Sequence, residues 1–147
     1  MRVFLDTNVF LYAAGGDHPL REPCRSIVER AARGRLPATT SSEVVQELIF
    51  VLARRGMLRQ GVALARDVLA LLPDLLPVGH REMAGACDLL ERFPALPPRD
   101  AVHAATMACH GLDTVVSADP HFDQVSGLRR LAPEWSHRFE TGPVPPV

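Results

Sequence analysis

Val3-Phe4-Leu5-Asp6-Thr7-Asn8 and Thr114-Val115-Val116-Ser117-Ala118-Asp119 share one plan: a short apolar run, then an acid. Each run reads as a buried strand of a parallel sheet, with its acid at the carboxyl end. In an open α/β sheet, ligands bind in the crevice at those ends. Carboxylates gathered there repel one another unless something positive sits among them. A divalent metal meets that need, and metal-assisted hydrolysis is the chemistry it serves.

Outward from these runs, strands and helices alternate. Residues 2–5 and 114–117 predict strands, 37–40 a further short one, and 128–131 an edge strand. Leu75 to Val78 is another candidate strand, bracketed by Pro73 and Gly79. Apolar spacing predicts helices over 8–12, 20–33, 42–55, 60–72, 81–92 and 100–110. Ser41 or Ser42 caps the helix that Gly56 closes, and Pro94, Pro97 and Pro98 form a stiff loop. This alternation argues an α/β fold with a parallel sheet. At 147 residues and 47% hydrophobic, the chain has the apolar material for one globular domain. That domain is placed at residues 1–132, and a tail containing Pro143, Pro145 and Pro146 at 133–147.

Composition narrows the function. The formal net charge is −1, so no overall positive field draws the protein to nucleic acid or membrane. All 16 cationic residues are arginine. Phosphoacceptor domains of the receiver or haloacid type also carry an Asp at a strand end, but they neutralise phosphate with a lysine. The phosphatase type would in addition want an acid where Asn8 stands. Cys24, Cys87 and Cys109 lack metal-ligand spacing and read as small buried hydrophobes in a reducing compartment. No stretch resembles a secretory leader or a membrane span, so a cytoplasmic protein is expected. The histidines show no mutual zinc-ligand spacing.

Each acid also has a structural reading. Asp6 and Asp119 could be N-caps, and Asp100 could stabilise the positive end of a helix. Those roles do not explain why several acids should meet at one sheet edge. Glu43 and Glu47 are four residues apart, ~40° around a helix axis and on one face. Their helix is otherwise so apolar that at least one of them points into a polar cleft. Asp6, Asp100 and Asp119 could hold one or two Mg²⁺ ions and activate a water against a phosphodiester. Thr7, Asn8 and Ser117 could orient them. His103 lies one turn beyond Asp100 and reads as a hydrogen-bonded helix histidine, with contact to phosphate as the alternative. Arg54, Arg55 and Arg59, and the pair Arg129 and Arg130, are either RNA contacts or solvated surface.

The residues together resemble the PIN domains, most closely the VapC-type toxins of bacterial and archaeal toxin–antitoxin pairs. The likeness runs from about Arg2 to Leu131. It is carried by Asp6-Thr7-Asn8, by Ser41 through Leu52, by Asp100-Ala101-Val102-His103-Ala104-Ala105, and by Ser117-Ala118-Asp119-Pro120-His121-Phe122. It implies a three-layer α/β/α sandwich with a mostly parallel sheet. It also implies RNA cleavage dependent on Mg²⁺ or Mn²⁺, a homodimer, and inhibition by a small VapB-like antitoxin. Carried onto this chain, Asp6 and Asp100 are metal ligands, Glu47 is the second acid with Glu43 as its alternative, and Asp119 is the fourth. Asp123 adds an acid nearby, and Ser117-Ala118 stands where a threonine-rich turn is more usual. A PIN nuclease of RNA processing, or a non-catalytic module of the same fold, are the competing readings.

Overall fold

Val3–Leu5 forms β1, and all three side chains are fully buried. Successive strand residues face opposite sides of a sheet, so β1 is covered on both faces. That is the signature of a parallel sheet between helical layers. A computed structural model describes residues 2–140, except for the side chain of Glu140. Its elements follow as α1 (Thr7–Ala14), α2 (Arg21–Ala32), β2 (Ala38–Thr39), α3 (Ser42–Arg54), α4 (Leu58–Leu71), α5 (His80–Arg92), α6 (Pro98–Cys109), β3 (Thr114–Val116) and β4 (Arg129–Leu131). Short 3-10 helices cover Pro120–Gln124 and Pro133–Glu140.

The four strands are all parallel, in the order β2-β1-β3-β4. Phe4 pairs with Thr39 on one side and Val115 on the other. The chain therefore leaves β1 toward one edge and later returns on its other side as β3. Such a reversal opens a crevice at the carboxyl ends of the two central strands. Asp6 N–H donates to the Val116 carbonyl at 3.1 Å and Ser117 N–H to the Leu131 carbonyl at 3.1 Å, so the crevice begins where the ladder ends. The architecture is an α/β/α sandwich.

The core is built on Phe4, Leu5, Val9, Phe10, Ile27, Leu48, Val115 and Phe122. Each large side chain of this kind contributes roughly 1.5–3 kcal/mol by leaving water. A second cluster, Ala86, Leu96, Ala101, Ala104, Ala105 and Val125, joins α5 to α6. Small residues let these helices approach closely: a Cβ on Gly85 would lie 3.2 Å from that of Ala105.

Several elements differ in extent from their sequence-based expectations. The strand expected at Leu75 to Val78 is a single parallel bridge, Ser41 to Leu76. Leu76 donates to the Thr40 carbonyl at 2.9 Å and accepts from Ser42 N–H at 3.0 Å. Pro77 follows and has no N–H to extend the ladder. α1 begins at Thr7 and α4 at Leu58, earlier than expected. α6 begins at Pro98 rather than Asp100, because proline's fixed φ suits the first helical position. Of the segment expected as tail, Pro133–Glu140 folds against α2, where Arg30 Nη1 donates to the Ser136 carbonyl at 2.8 Å. Pro143, Pro145 and Pro146 lie outside the described residues. Cys24 is buried as expected, whereas Cys87 is exposed on α5 and Cys109 is half-buried. No helix among the described residues is long and apolar enough to cross a membrane.

Candidate active site

Asp6 stands at the end of β1 and caps α1, its Oδ1 accepting from Thr7 N–H at 2.8 Å. Its Oδ2 accepts from Ser117 Oγ at 2.6 Å and from Asn8 Nδ2 at 3.0 Å. Asn8 also donates to Ser117 Oγ at 3.1 Å, and its Oδ1 accepts from Ala118 N–H at 3.1 Å. These bonds join the ends of β1 and β3. Burial raises the Asp6 carboxyl above its ordinary pKa, against the opposing pull of His103 and of the bonds from Ser117 and Thr7.

Glu47 comes from the middle of α3. Its Oε2 accepts from Thr7 Oγ1 at 2.6 Å and lies 3.0 Å from His103 Nε2. Its Oε1 accepts from Arg99 Nη1 at 3.0 Å. Burial alone would raise this carboxyl, but the bonds from His103, Thr7 and Arg99 outweigh it and hold the pKa down at about 2. His103 Nε2 also stands 3.8 Å from Asp6 Oδ1. Burial disfavours the imidazolium, yet Glu47, Asp6 and Asp100 together raise its pKa. The acids around His103 thus favour its protonated form over the neutral one.

The third part is Asp100, Asp119 and His121. Asp100 enters from the first turn of α6 and is buried. Asp119 caps the 3-10 helix at Pro120–Gln124 by accepting from His121 N–H at 2.9 Å. That cap brings the His121 ring back, with Nδ1 2.7 Å from Asp119 and 3.4 Å from Asp100 Oδ2. One ligand atom from each of the three falls within 4.8 Å of the others. Asp100 Oδ2 is buried and accepts no hydrogen bond. Burial, then the charges of Asp6 and Asp119, push its pKa up to about 6. A buried carboxylate oxygen without a hydrogen bond, set among other acids, fits a divalent cation, whose charge would relieve both penalties.

Four expected acids, Asp6, Glu47, Asp100 and Asp119, thus converge on one crevice, interleaved by two histidines. Asp6 stands beside the three-residue group rather than in it. Glu43 is half-buried in the first turn of α3 and makes none of these bonds. Asp123 is held by Arg130, Nε to Oδ1 at 2.9 Å and Nη2 to Oδ2 at 3.1 Å, and stays outside. Thr7, Asn8 and Ser117 orient the acids as expected. His121 and Arg99 were not singled out in the sequence. The Asp119-Pro120 cap was the available signal for His121. For Arg99 it was adjacency to Asp100.

The PIN domain family model matches residues 3–128. Ribonuclease VapC7 of Mycobacterium tuberculosis is 38% identical over 137 residues, covering 90% of this chain and 92% of that protein. The structure of VapBC2 from Rickettsia felis, bound to a promoter DNA fragment, superposes with a TM-score of 0.70 at 18% identity. It covers 90% of this chain and 98% of that one. A toxin-antitoxin complex from Klebsiella pneumoniae gives a TM-score of 0.64 at 16% identity, covering 89% of this chain and 97% of the other. These two structural likenesses are likenesses of fold. The length and identity of the match to VapC7 carry more: this chain belongs to the PIN domain family, among the VapC ribonucleases.

Proposed function

We propose that this protein is a divalent-metal-dependent endoribonuclease and the toxin of a toxin–antitoxin pair. The observation that carries this reading is the buried Asp100 Oδ2, which accepts no hydrogen bond and faces Asp119 and His121, one strand end from Asp6. Asp6, Asp100 and Asp119 would hold the ion, with His121 as a further donor. The set is rich in carboxylate oxygen, which suits Mg²⁺ or Mn²⁺. When bound, the ion polarises the phosphodiester and lowers the pKa of a water for in-line attack.

The protein's own residues set the geometry. Ser117, Asn8 and the Thr7 N–H fix both oxygens of Asp6. His103, Thr7 and Arg99 keep Glu47 ionised and occupy both its oxygens, so it acts by fixing these three groups beside the site. The attacking water would lose a proton to solvent as its oxygen bonds to phosphorus, the P–O3′ bond would break, and the departing O3′ would take a proton from solvent. The products are a 5′-phosphate and a 3′-hydroxyl. No covalent protein intermediate is involved.

The reading extends to partners. The named relative is a VapC ribonuclease and one neighbour is a toxin-antitoxin complex, which supports a small VapB-like inhibitor for this chain. A homodimer and a cytoplasmic site of action complete the proposal.

The test is incubation of metal-stripped protein with total cellular RNA, with and without Mg²⁺ or Mn²⁺, beside an Asp6→Asn control. Discrete metal-dependent fragments with 5′-phosphate ends, absent from the control, are expected. Cleavage that survives chelation, or that persists in the control, overturns the reading.

A further inference from the structure

Beside the acids lies a cleft of about 400 Å³, lined by Phe50, Val51, Arg54, Arg55 and Arg99. It carries three cations and no acid. Phe50 is 38% exposed and lines this cleft. The Arg99 guanidinium lies 5.0 Å from its centroid and that of Arg54 5.7 Å. Arg99 also fixes the distance to the acids, since its Nη1 is 3.0 Å from Glu47 Oε1. One of its five donors is spent there, and the side chain is 45% exposed. Arg55 lines a second cleft, of about 420 Å³, that reaches Asn8 past Tyr12 and His18. Asp17 offsets Arg55 in that second cleft, so the positive surface meets the acidic crevice at Arg99. Arg130, by contrast, is committed to Asp123 and to the Ser117 carbonyl at 3.1 Å.

We propose that the Phe50 cleft binds a base of single-stranded RNA beside the scissile phosphate, stacked against the ring and its two guanidiniums. Unpaired bases stack on aromatic rings and on arginine planes, whereas duplex bases are already stacked on one another. The cleft's remaining donors suit the adjoining phosphates. The acids alone would repel an RNA strand, and these arginines, one of them bonded to Glu47, offset that repulsion beside the acids. The proposal rests on the nuclease reading only for the identity of the polymer.

The test separates binding from cleavage. Chelator-treated protein is titrated into a short single-stranded RNA carrying 2-aminopurine at one position, moved along the strand in successive oligonucleotides. One position is expected to be quenched more than its neighbours. Phe50→Leu should weaken binding about tenfold, as loss of one stacked base does, and remove that quench. Phe50→Trp should restore both. Arg54→Gln gives an independent arm should Phe50→Leu not fold. The proposal is overturned if folded Phe50→Leu binds as wild type does, if no position is preferentially quenched, or if an acidic peptide displaces the RNA equally well. Cleavage of the same RNA after Mn²⁺ addition is scored separately. Phe50-dependent binding without cleavage retains the subsite and removes the nuclease, and cleavage indifferent to Phe50 does the reverse.

Discussion

His103 and Glu47 face each other across the interior, Nε2 to Oε2 at 3.0 Å, with the imidazole 1% exposed. α6 and α3 are thus joined by a hydrogen-bonded contact inside the protein. Glu47 keeps its bonds from Thr7 and Arg99 when His103 is removed, so the loss falls on this one bond and on the void left beside Phe4. His103→Ala should cost on the order of 3 kcal/mol. Urea unfolding of the metal-free protein measures it, and a loss well under 1 kcal/mol would mean that the pair adds nothing.

Asp100 is held among like charges, which costs stability in the absence of metal. Asp100→Asn should therefore raise the melting temperature of the chelated protein by about 3 °C, what ~1 kcal/mol does in a chain of this size. The same variant should lose the melting-temperature rise that Mn²⁺ gives wild type. Thermal scans with and without Mn²⁺ check both. A variant less stable than wild type without metal would contradict the charge argument.

Arg130 clamps the turn after β3 by holding Asp123 twice and the Ser117 carbonyl once. Arg130→Ala releases Asp123 and the backbone next to Asp119 together. A loss of about 1–2 kcal/mol is expected, less than for a buried pair because Asp123 is half exposed. Calorimetry should also show weaker Mn²⁺ binding, although Arg130 is not a ligand. Unchanged metal affinity would show that the turn keeps its shape without the clamp.

Glu82 gives a pH-dependent contribution away from the site. Its Oε2 accepts from Gly79 N–H at 2.9 Å and caps α5, with Arg81 and His110 at 3.4 and 3.3 Å from Oε1. The Gly79 bond, with help from Arg81, lowers its pKa. A carboxyl lowered in the folded state stabilises above its unfolded value, near ~4.3, and loses that advantage as pH falls through the folded value. The melting-temperature gap between wild type and Glu82→Gln should therefore be open at neutral pH and close in strong acid. A gap of constant width would refute the capping role.

Much of this was legible in the sequence, for identifiable reasons. Asp6, Asp100 and Asp119 sit where strands end or helices start, and such positions are marked by local apolar runs, prolines and caps. The order of the strands is not local, so the joining of Asp6 to Ser117 required the sheet. Glu43 and Glu47 share one helix face, and only the positions of Thr7, His103 and Arg99 across the crevice separate them. His121 reaches Asp100 through the turn of a 3-10 helix, a geometry no periodicity encodes. The strand expected near Leu76 shrank because its neighbouring proline ends the ladder.

The bond from Ser117 to Asp6 spans 111 residues of chain. A ribosome making this protein therefore releases Asp6, and later Glu47, long before β3, which carries Ser117 to the side of β1, exists. Contacts so distant in sequence form late and slowly. The growing polypeptide carries the first half of a reactive centre without its second half until β3 has been made. Whatever hazard the finished centre presents to the cell starts only after β3 has been made, and a safeguard acting on it would meet the folded centre rather than the emerging thread.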